Sequence, residues 1–380
     1  MTGAPTGLYI HVPFCDGKCR YCAFYSVRYE PVLARRWLAA VQREHELFRS
    51  HHPAPVFRTV YIGGGTPTIL ESGLLQELAE WVRSLLPSAG ADEWSVEANP
   101  GSVDAGKLRI LRQSGVNRIS IGAQAFDDAR LNILGRRHDA AAISTAVTAA
   151  RAAGFDNVGL DLIAGGPGCG PKAWRHSLNQ ARALEPEHLS VYALTVEEGT
   201  ALARSVQRRV TRVSEAAVTA RLHEAQAVLE AAGYERYEIS NYASPGRACR
   251  HNLACWRGER YLGLGPAAAS HVGLARWTNA PDVRDYVERL EAGLEPERDR
   301  ETLAPATKAV ERLVFGLRLA EGVDLDAALE EGGSPEWRGL WTAALERFRR
   351  RGLTQQSGSR WRLTRKGMDF ADTVAVELMP

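Results

Sequence analysis

Three cysteines stand within eight residues of one another near the start of the chain, Cys15, Cys19 and Cys22 in HVPFCDGKCRYCAFYS. Thiolates spaced C-x3-C-x2-C suit an iron-sulfur cluster, whose irons take sulfur ligands. A cubane has four iron corners, so three cysteines leave one iron without a protein ligand, and that corner is the reactive one. The same residues admit other readings. A disulfide framework is the habit of small secreted domains rather than of a 380-residue chain. A structural zinc site wants four ligands, and no fourth is evident nearby.

Further polar residues recur at regular intervals. YIGGGTPT holds Gly63, Gly64, Gly65 and Thr66, and glycines let backbone N–H groups come close to a charged ligand. A tight strand-to-helix turn is their plainer use. Glu97 in SVEANP, Gln124 in SIGAQAF and Asp161 in LDLIAG can bond hydroxyl or ammonium groups, though each alone could cap a helix. Arg136 in ILGRRH could be a solvated helix charge. Soft donors gather again at Cys249, His251, Cys255 and His271, whereas Cys169 stands alone in a Gly-rich turn.

The elements that must position these residues show in the hydrophobic pattern. Apolar, β-branched runs at 7–12, 59–62, 94–98, 118–122, 158–164 and 189–194 alternate with amphipathic stretches such as 34–50 and 141–153. Strand alternating with helix implies a parallel sheet with right-handed crossovers. Six such units predict an α/β fold, a partial (β/α)6 barrel of TIM-like form. The polar motifs fall at or just after the strands' C-terminal ends, where such folds place ligands. Beyond residue 201 the pattern changes to a long helix at 213–232. An irregular stretch at 234–278, rich in aromatic, Gly, His and Cys residues, reads as a ligand-binding insertion. Helical segments then lead to a short strand at 360–363 and a last helix, the outline of a small winged-helix-like domain. The expected division is 1–232 for the barrel, 233–280 for a ligand segment closing it, and 281–380 for the C-terminal helical domain.

Charge narrows the partners. With 47 basic against 45 acidic residues and the arginines dispersed, nucleic acid is not expected. MTGAPTG has no basic and apolar leader, and no long apolar run follows, so a cytoplasmic protein without stable membrane insertion is expected.

The cysteine array after a first strand resembles the motif of the radical S-adenosylmethionine (SAM) superfamily. That resemblance implies a 4Fe-4S cluster on Cys15, Cys19 and Cys22, with SAM chelating the open iron. YIHVPFC, GGGTPT, the IGAQ and DLI strands, YEISNYA, HNLACW and LTRKG extend it along nearly the whole chain, and the group resembled is that of the coproporphyrinogen dehydrogenases and heme chaperones. It implies SAM contacts at Tyr9, Gly64, Gly65, Thr66, Glu97, Gln124, Arg136 and Asp161, with Tyr21 at an aromatic position of the group. The dehydrogenases usually carry another cysteine two residues after the third, where this chain has Phe24, and a long N-terminal extension that is lacking here. Both features favour the heme-chaperone family.

RHNLACWRGERY matches that family's H-N-x-x-Y-W motif at His251, Asn252 and Trp256, with Cys255 in place of the tyrosine. The implied function is to bind heme and pass it to an acceptor protein, with a flavodoxin or ferredoxin as electron donor. His251, Cys255, Cys249 and His271, in that order, are candidate iron ligands; a hydrogen-bonded, partly buried His251 is an equal alternative. Oxygen-independent coproporphyrinogen III oxidation, in porphyrin biosynthesis, and radical SAM methyl transfer are the rival enzymatic functions.

Overall fold

The computed structural model describes residues 6–379; Met1–Pro5, most of the MTGAPTG stretch read above, lie outside them. Six parallel strands, β1 (Gly7–Val12), β2 (Thr59–Gly64), β3 (Glu93–Ala98), β4 (Arg118–Gln124), β5 (Val158–Ala164) and β6 (His188–Ala193), lie side by side in chain order. Each faces two ways, because successive side chains of a strand point to opposite sides. One face carries Leu8, Ile10, Val60, Ile62, Val96, Ile121, Leu160 and Leu189, all buried in one apolar core with the flanking helices. Burying such side chains contributes about 1.5–3 kcal/mol each.

The other face is polar. It runs Tyr9 and His11, Thr59 and Tyr61, Glu93, Ser95 and Glu97, Arg118 and Ser120, Asp161, then His188 and Ser190. The helices begin where short polar side chains can cap them. Asp104 accepts from Lys107 N before Ala105–Ser114, and Asp139 from Ala142 N before Ala140–Ala152.

The stretch 234–278 is more regular than its composition suggests. A strand β7 (Asn241–Ala243) pairs antiparallel with β6 on one edge of the sheet. A helix, Arg250–Trp256, follows. A further strand β8 (Tyr261–Leu264) then pairs parallel with β1 on the opposite edge, Gly7 beside Tyr261. Three antiparallel strands, Ala269–Val272, Ala275–Asn279 and Glu297–Thr302, extend that edge. Strands of three to five residues are too short to display a period.

The C-terminal part has its own core of Leu313, Trp341, Leu345, Phe348 and Trp361. Helices Pro305–Gly316, Leu325–Glu330 and Pro335–Arg350 pack there with an antiparallel sheet of Val323–Asp324, Arg360–Leu363 and Thr354–Ser357. The chain is thus an α/β partial barrel with a winged-helix-like C-terminal domain. Among the described residues no helix is long and apolar enough to cross a membrane.

Candidate cluster and cofactor site

The cysteine loop leaves the end of β1 and is tied down on several sides. Phe14–Cys15 pairs with Val27–Arg28 as a two-stranded ribbon. Arg20 N donates to Leu134 O (3.0 Å), and Leu202 N donates to Arg20 O (2.7 Å). Tyr21 packs into a small apolar cluster of Leu134, Ile163, Leu194 and Leu202, so this aromatic side chain roots the loop. All three cysteines are half-buried free thiols. Burial raises the Cys15 and Cys22 thiols above their usual range, and their thiolates would need a nearby positive centre.

Two contacts connect the loop with the other motifs. Thr66 Oγ1 lies 3.5 Å from Cys15 Sγ. Arg136 donates through Nη1 to Cys19 Sγ (3.5 Å) and through Nη2 to Gly122 O (2.8 Å), while its buried Nε has no partner. Gly64, with φ +101°, packs so closely that an added Cβ would lie 2.5 Å from the His11 ring. At Gly65 the same atom would lie 2.6 Å from Phe14 O. The glycines therefore let the β2 loop lie flat against the cysteine strand.

The strand ends complete a half-open bowl. Glu97 accepts from Tyr61 OH (2.8 Å) and Gly64 N (3.2 Å), and Asp161 accepts from Ser120 Oγ (3.3 Å). Tyr9 OH meets His11 Nδ1 at 3.1 Å. Burial, with the Asp161 charge second, pushes Glu97 up to about 7; burial raises Asp161 as well. Gln124 takes the left-handed conformation, φ 66°, at the end of β4, a strained position for a side-chain-bearing residue. Tyr9, Gly64, Gly65, Glu97, Gln124, Arg136 and Asp161 are each half-buried, and Thr66 is buried beside Cys15.

This donor set fits the group that the cysteine spacing implies. Three thiols share one loop, a guanidinium sits beside one of them, and paired carboxylates and a glycine bend lie along the rim. Among the described residues no three His, Cys, Asp or Glu side chains converge on a single ion. A cubane instead takes each thiolate on a separate iron.

His251 is elsewhere. Helix Arg250–Trp256 crosses the N-terminal ends of the strands, the opposite end of the bowl from the cysteines. Glu93 accepts there from Cys249 Sγ (3.2 Å), Arg250 N (2.9 Å) and His251 N (3.1 Å). His251 Nδ1 bonds Thr59 Oγ1 (3.1 Å), and its ring lies 5.5 Å from that of Tyr61. Burial lowers the imidazole to about 4 and raises the Cys249 thiol to about 12, so both are neutral near pH 7. Trp256 packs edge-on against Phe315 of the C-terminal domain. Sequence reasoning did not single out Tyr61, Glu93, Arg118 or Ser120 as functional. Their signal was the period-two polar alternation along β2, β3 and β4.

Comparison with known proteins then supplies a family. Residues 9–181 match the radical SAM superfamily, and residues 303–370 match the HemN C-terminal domain. A heme chaperone HemW of Bacillus subtilis is 36% identical over 94% of this chain and 95% of its own length. The chain belongs to the HemW family of radical SAM proteins. The HemW of Mycobacterium tuberculosis is 37% identical over 100% of this chain and 96% of its own. In fold the chain matches coproporphyrinogen III oxidase (HemN) from Escherichia coli, a radical SAM enzyme, with a TM-score of 0.87 at 22% identity over 100% of this chain and 91% of that one. HemW membership implies the 4Fe-4S cluster and SAM typical of the superfamily. The three-thiol loop is the part of this chain suited to the cluster.

Proposed function

We propose that this protein is a cytoplasmic heme chaperone that holds a SAM-ligated 4Fe-4S cluster, binds heme and delivers it to an acceptor protein. The observation that carries this reading is the kinship, over nearly the whole chain, with proteins named heme chaperone HemW. Phe24 supports it, since this side chain, 71% exposed, occupies the position where coproporphyrinogen dehydrogenases have a further cysteine.

In this reading Cys15, Cys19 and Cys22 hold the cluster. Gly64, Gly65 and Thr66 line the approach of SAM to the open corner, with backbone N–H groups available to its charged end. Glu97 and Asp161 accept hydrogen bonds from its ammonium or ribose hydroxyls, Tyr9 and Gln124 close the rim, and Arg136 balances the charge near Cys19. When reduced, such a cluster supplies an electron that can break a carbon-sulfur bond of SAM; the protein binds, orients and excludes water. A flavodoxin or ferredoxin is the electron donor that fits this chemistry.

Anaerobic reconstitution tests the proposal, with iron, sulfide, SAM binding and heme binding measured on one preparation. Stoichiometric heme uptake with a Soret band, together with transfer to an apo-acceptor, is the expected result. Conversion of coproporphyrinogen III to protoporphyrinogen IX without heme uptake would overturn it in favour of the oxidase.

A further inference from the structure

The helix Arg250–Trp256 carries a sequence motif that the cofactor bowl leaves without a task. His251 enters the barrel from the N-terminal ends of the strands, where β1 and β2 make room for it. Gly7 stands beside Thr59 in register. A side chain at position 7 would press on the neighbouring strand β8 and on the imidazole, since an added Cβ would lie 3.1 Å from Tyr261 Cβ and 3.5 Å from His251 Cε1. The ring thus sits in the barrel floor, with Nδ1 at Thr59 Oγ1 and its backbone N–H on Glu93.

Tyr61 lies between this floor and the bowl. Its ring is 5.5 Å from the imidazole and 6.4 Å from the ring of Tyr9, inclined 30° and 31° to them. Centroid spacings of about 4.5–7 Å are those of attractive aromatic pairs. On its other side β3 offers only the short Ser95, opposite Tyr61 in register. A ring clasped in this way aims its hydroxyl in one direction. Tyr61 OH donates to Glu97 Oε1 at 2.8 Å, while Gly64 N donates to Oε2 at 3.2 Å. One donor on each oxygen fixes the plane of the carboxylate and leaves its remaining lone pairs to a ligand. Gly63 lets these groups meet, because an added Cβ there would lie 2.8 Å from the Glu97 carboxyl carbon and 2.9 Å from Tyr61 Cε1.

We propose that Tyr61 is a positioning residue for the carboxylate of Glu97, and that His251 acts on the cofactor bowl through the Tyr61 ring. The inference rests on the reading of Glu97 as a SAM contact, and it gives the motif helix a part in SAM binding without contact to the cofactor. A hydrogen bond donated to a carboxylate favours its ionised form, the form that accepts best from an ammonium or a hydroxyl. The other charged or titratable groups facing Glu97 are Tyr9 from β1, Arg118 from β4, Asp161 from β5 and Tyr192 from β6. Replacing Tyr61 by Phe alters none of them.

SAM titration of the anaerobically reconstituted full chain tests the assignment, using wild type, Tyr61→Phe, His251→Ala, His251→Phe and the double variant Tyr61→Phe/His251→Ala, with iron and sulfide assayed on each. Tyr61→Phe keeps the ring and should weaken SAM binding about two- to tenfold, the worth of one hydrogen bond, at unchanged iron content. Its acid limb in a plot of affinity against pH should move to higher pH, because Glu97 loses a donor that held its pKa down. His251→Ala should weaken binding too, by no more than that factor, and His251→Phe, which keeps a ring under Tyr61, should recover most of the loss. In the double variant the two losses should not multiply, since both act on one carboxylate. Tyr61→Phe or His251→Ala with wild-type SAM affinity would overturn the inference while the SAM reading stands. So would losses that multiply in the double variant, an unmoved acid limb, or iron lost in step with affinity, the mark of a merely structural role. No SAM binding by wild type that holds its cluster would remove the reading of the bowl itself.

Discussion

The two ends of the barrel are built from similar residues and are put to opposite uses. At the C-terminal ends of the strands, Cys15, Cys19, Cys22, Glu97 and Asp161 surround a half-open bowl, and several of their donors and acceptors face solvent. At the N-terminal ends, Cys249, His251, Glu93 and Arg118 are equally ligand-like but sealed. Glu93 takes three donors from residues 249–251, and Thr59 takes the imidazole. The type of side chain therefore does not decide whether a cluster of ligands binds anything. How completely neighbouring protein atoms enclose those groups does: the open-end residues are half-buried, whereas Cys249, Glu93, His251 and Arg118 are buried.

Substitutions can break this contrast. Cys19→Ala should abolish the visible iron-sulfur absorption and most of the bound iron, because a cubane held by two thiolates is poorly retained, with little change in apoprotein stability. Iron and sulfide analysis beside a urea melt checks both halves. Glu93→Ala should do the reverse. It leaves the amides of Arg250 and His251 unsatisfied, removes a carboxylate charge near the buried Arg118 and should cost about 3–5 kcal/mol, while any folded fraction still reconstitutes a cluster. His251→Ala is milder, about 1–3 kcal/mol for one buried hydrogen bond, again with iron content unchanged.

Acidity sharpens the comparison. His251 is held neutral with its folded pKa lowered to about 4 from 6.5, so its contribution is complete above pH 6.5 and lost as pH falls toward 4. Glu97 is raised to about 7 from 4.5, so its contribution is complete below pH 4.5 and lost as pH rises toward 7. His251→Phe should flatten the acid limb of a stability-against-pH curve, and Glu97→Gln the limb between pH 4.5 and 7. The second effect should be about 1 kcal/mol because the bowl is partly solvated. Phe24→Ala, at an exposed site on the open side, should leave stability within about 0.5 kcal/mol.

Much of the open end was legible in the sequence because its signals are local. The C-x3-C-x2-C spacing, the glycine run and the polar residues closing strands 59–62, 94–98 and 158–164 each lie within a few positions of an apolar run. The six strands emerged for the same reason, since their outward faces carry Leu, Ile and Val in alternation. The closed end was not legible. Nothing near His251 in the chain shows that Thr59 and Glu93 will meet it, and the pairing of β8 with β1 joins Tyr261 to Gly7 across most of the barrel sequence.

β8 reaching back to β1 also has a meaning during synthesis. During synthesis β1 keeps one edge bare until residue 264 has emerged, and exposed strand edges invite mispairing with other chains. A nascent chain halted before β8 would carry its three thiols on an unfinished support. Translation pauses in this region should therefore favour aggregation over maturation.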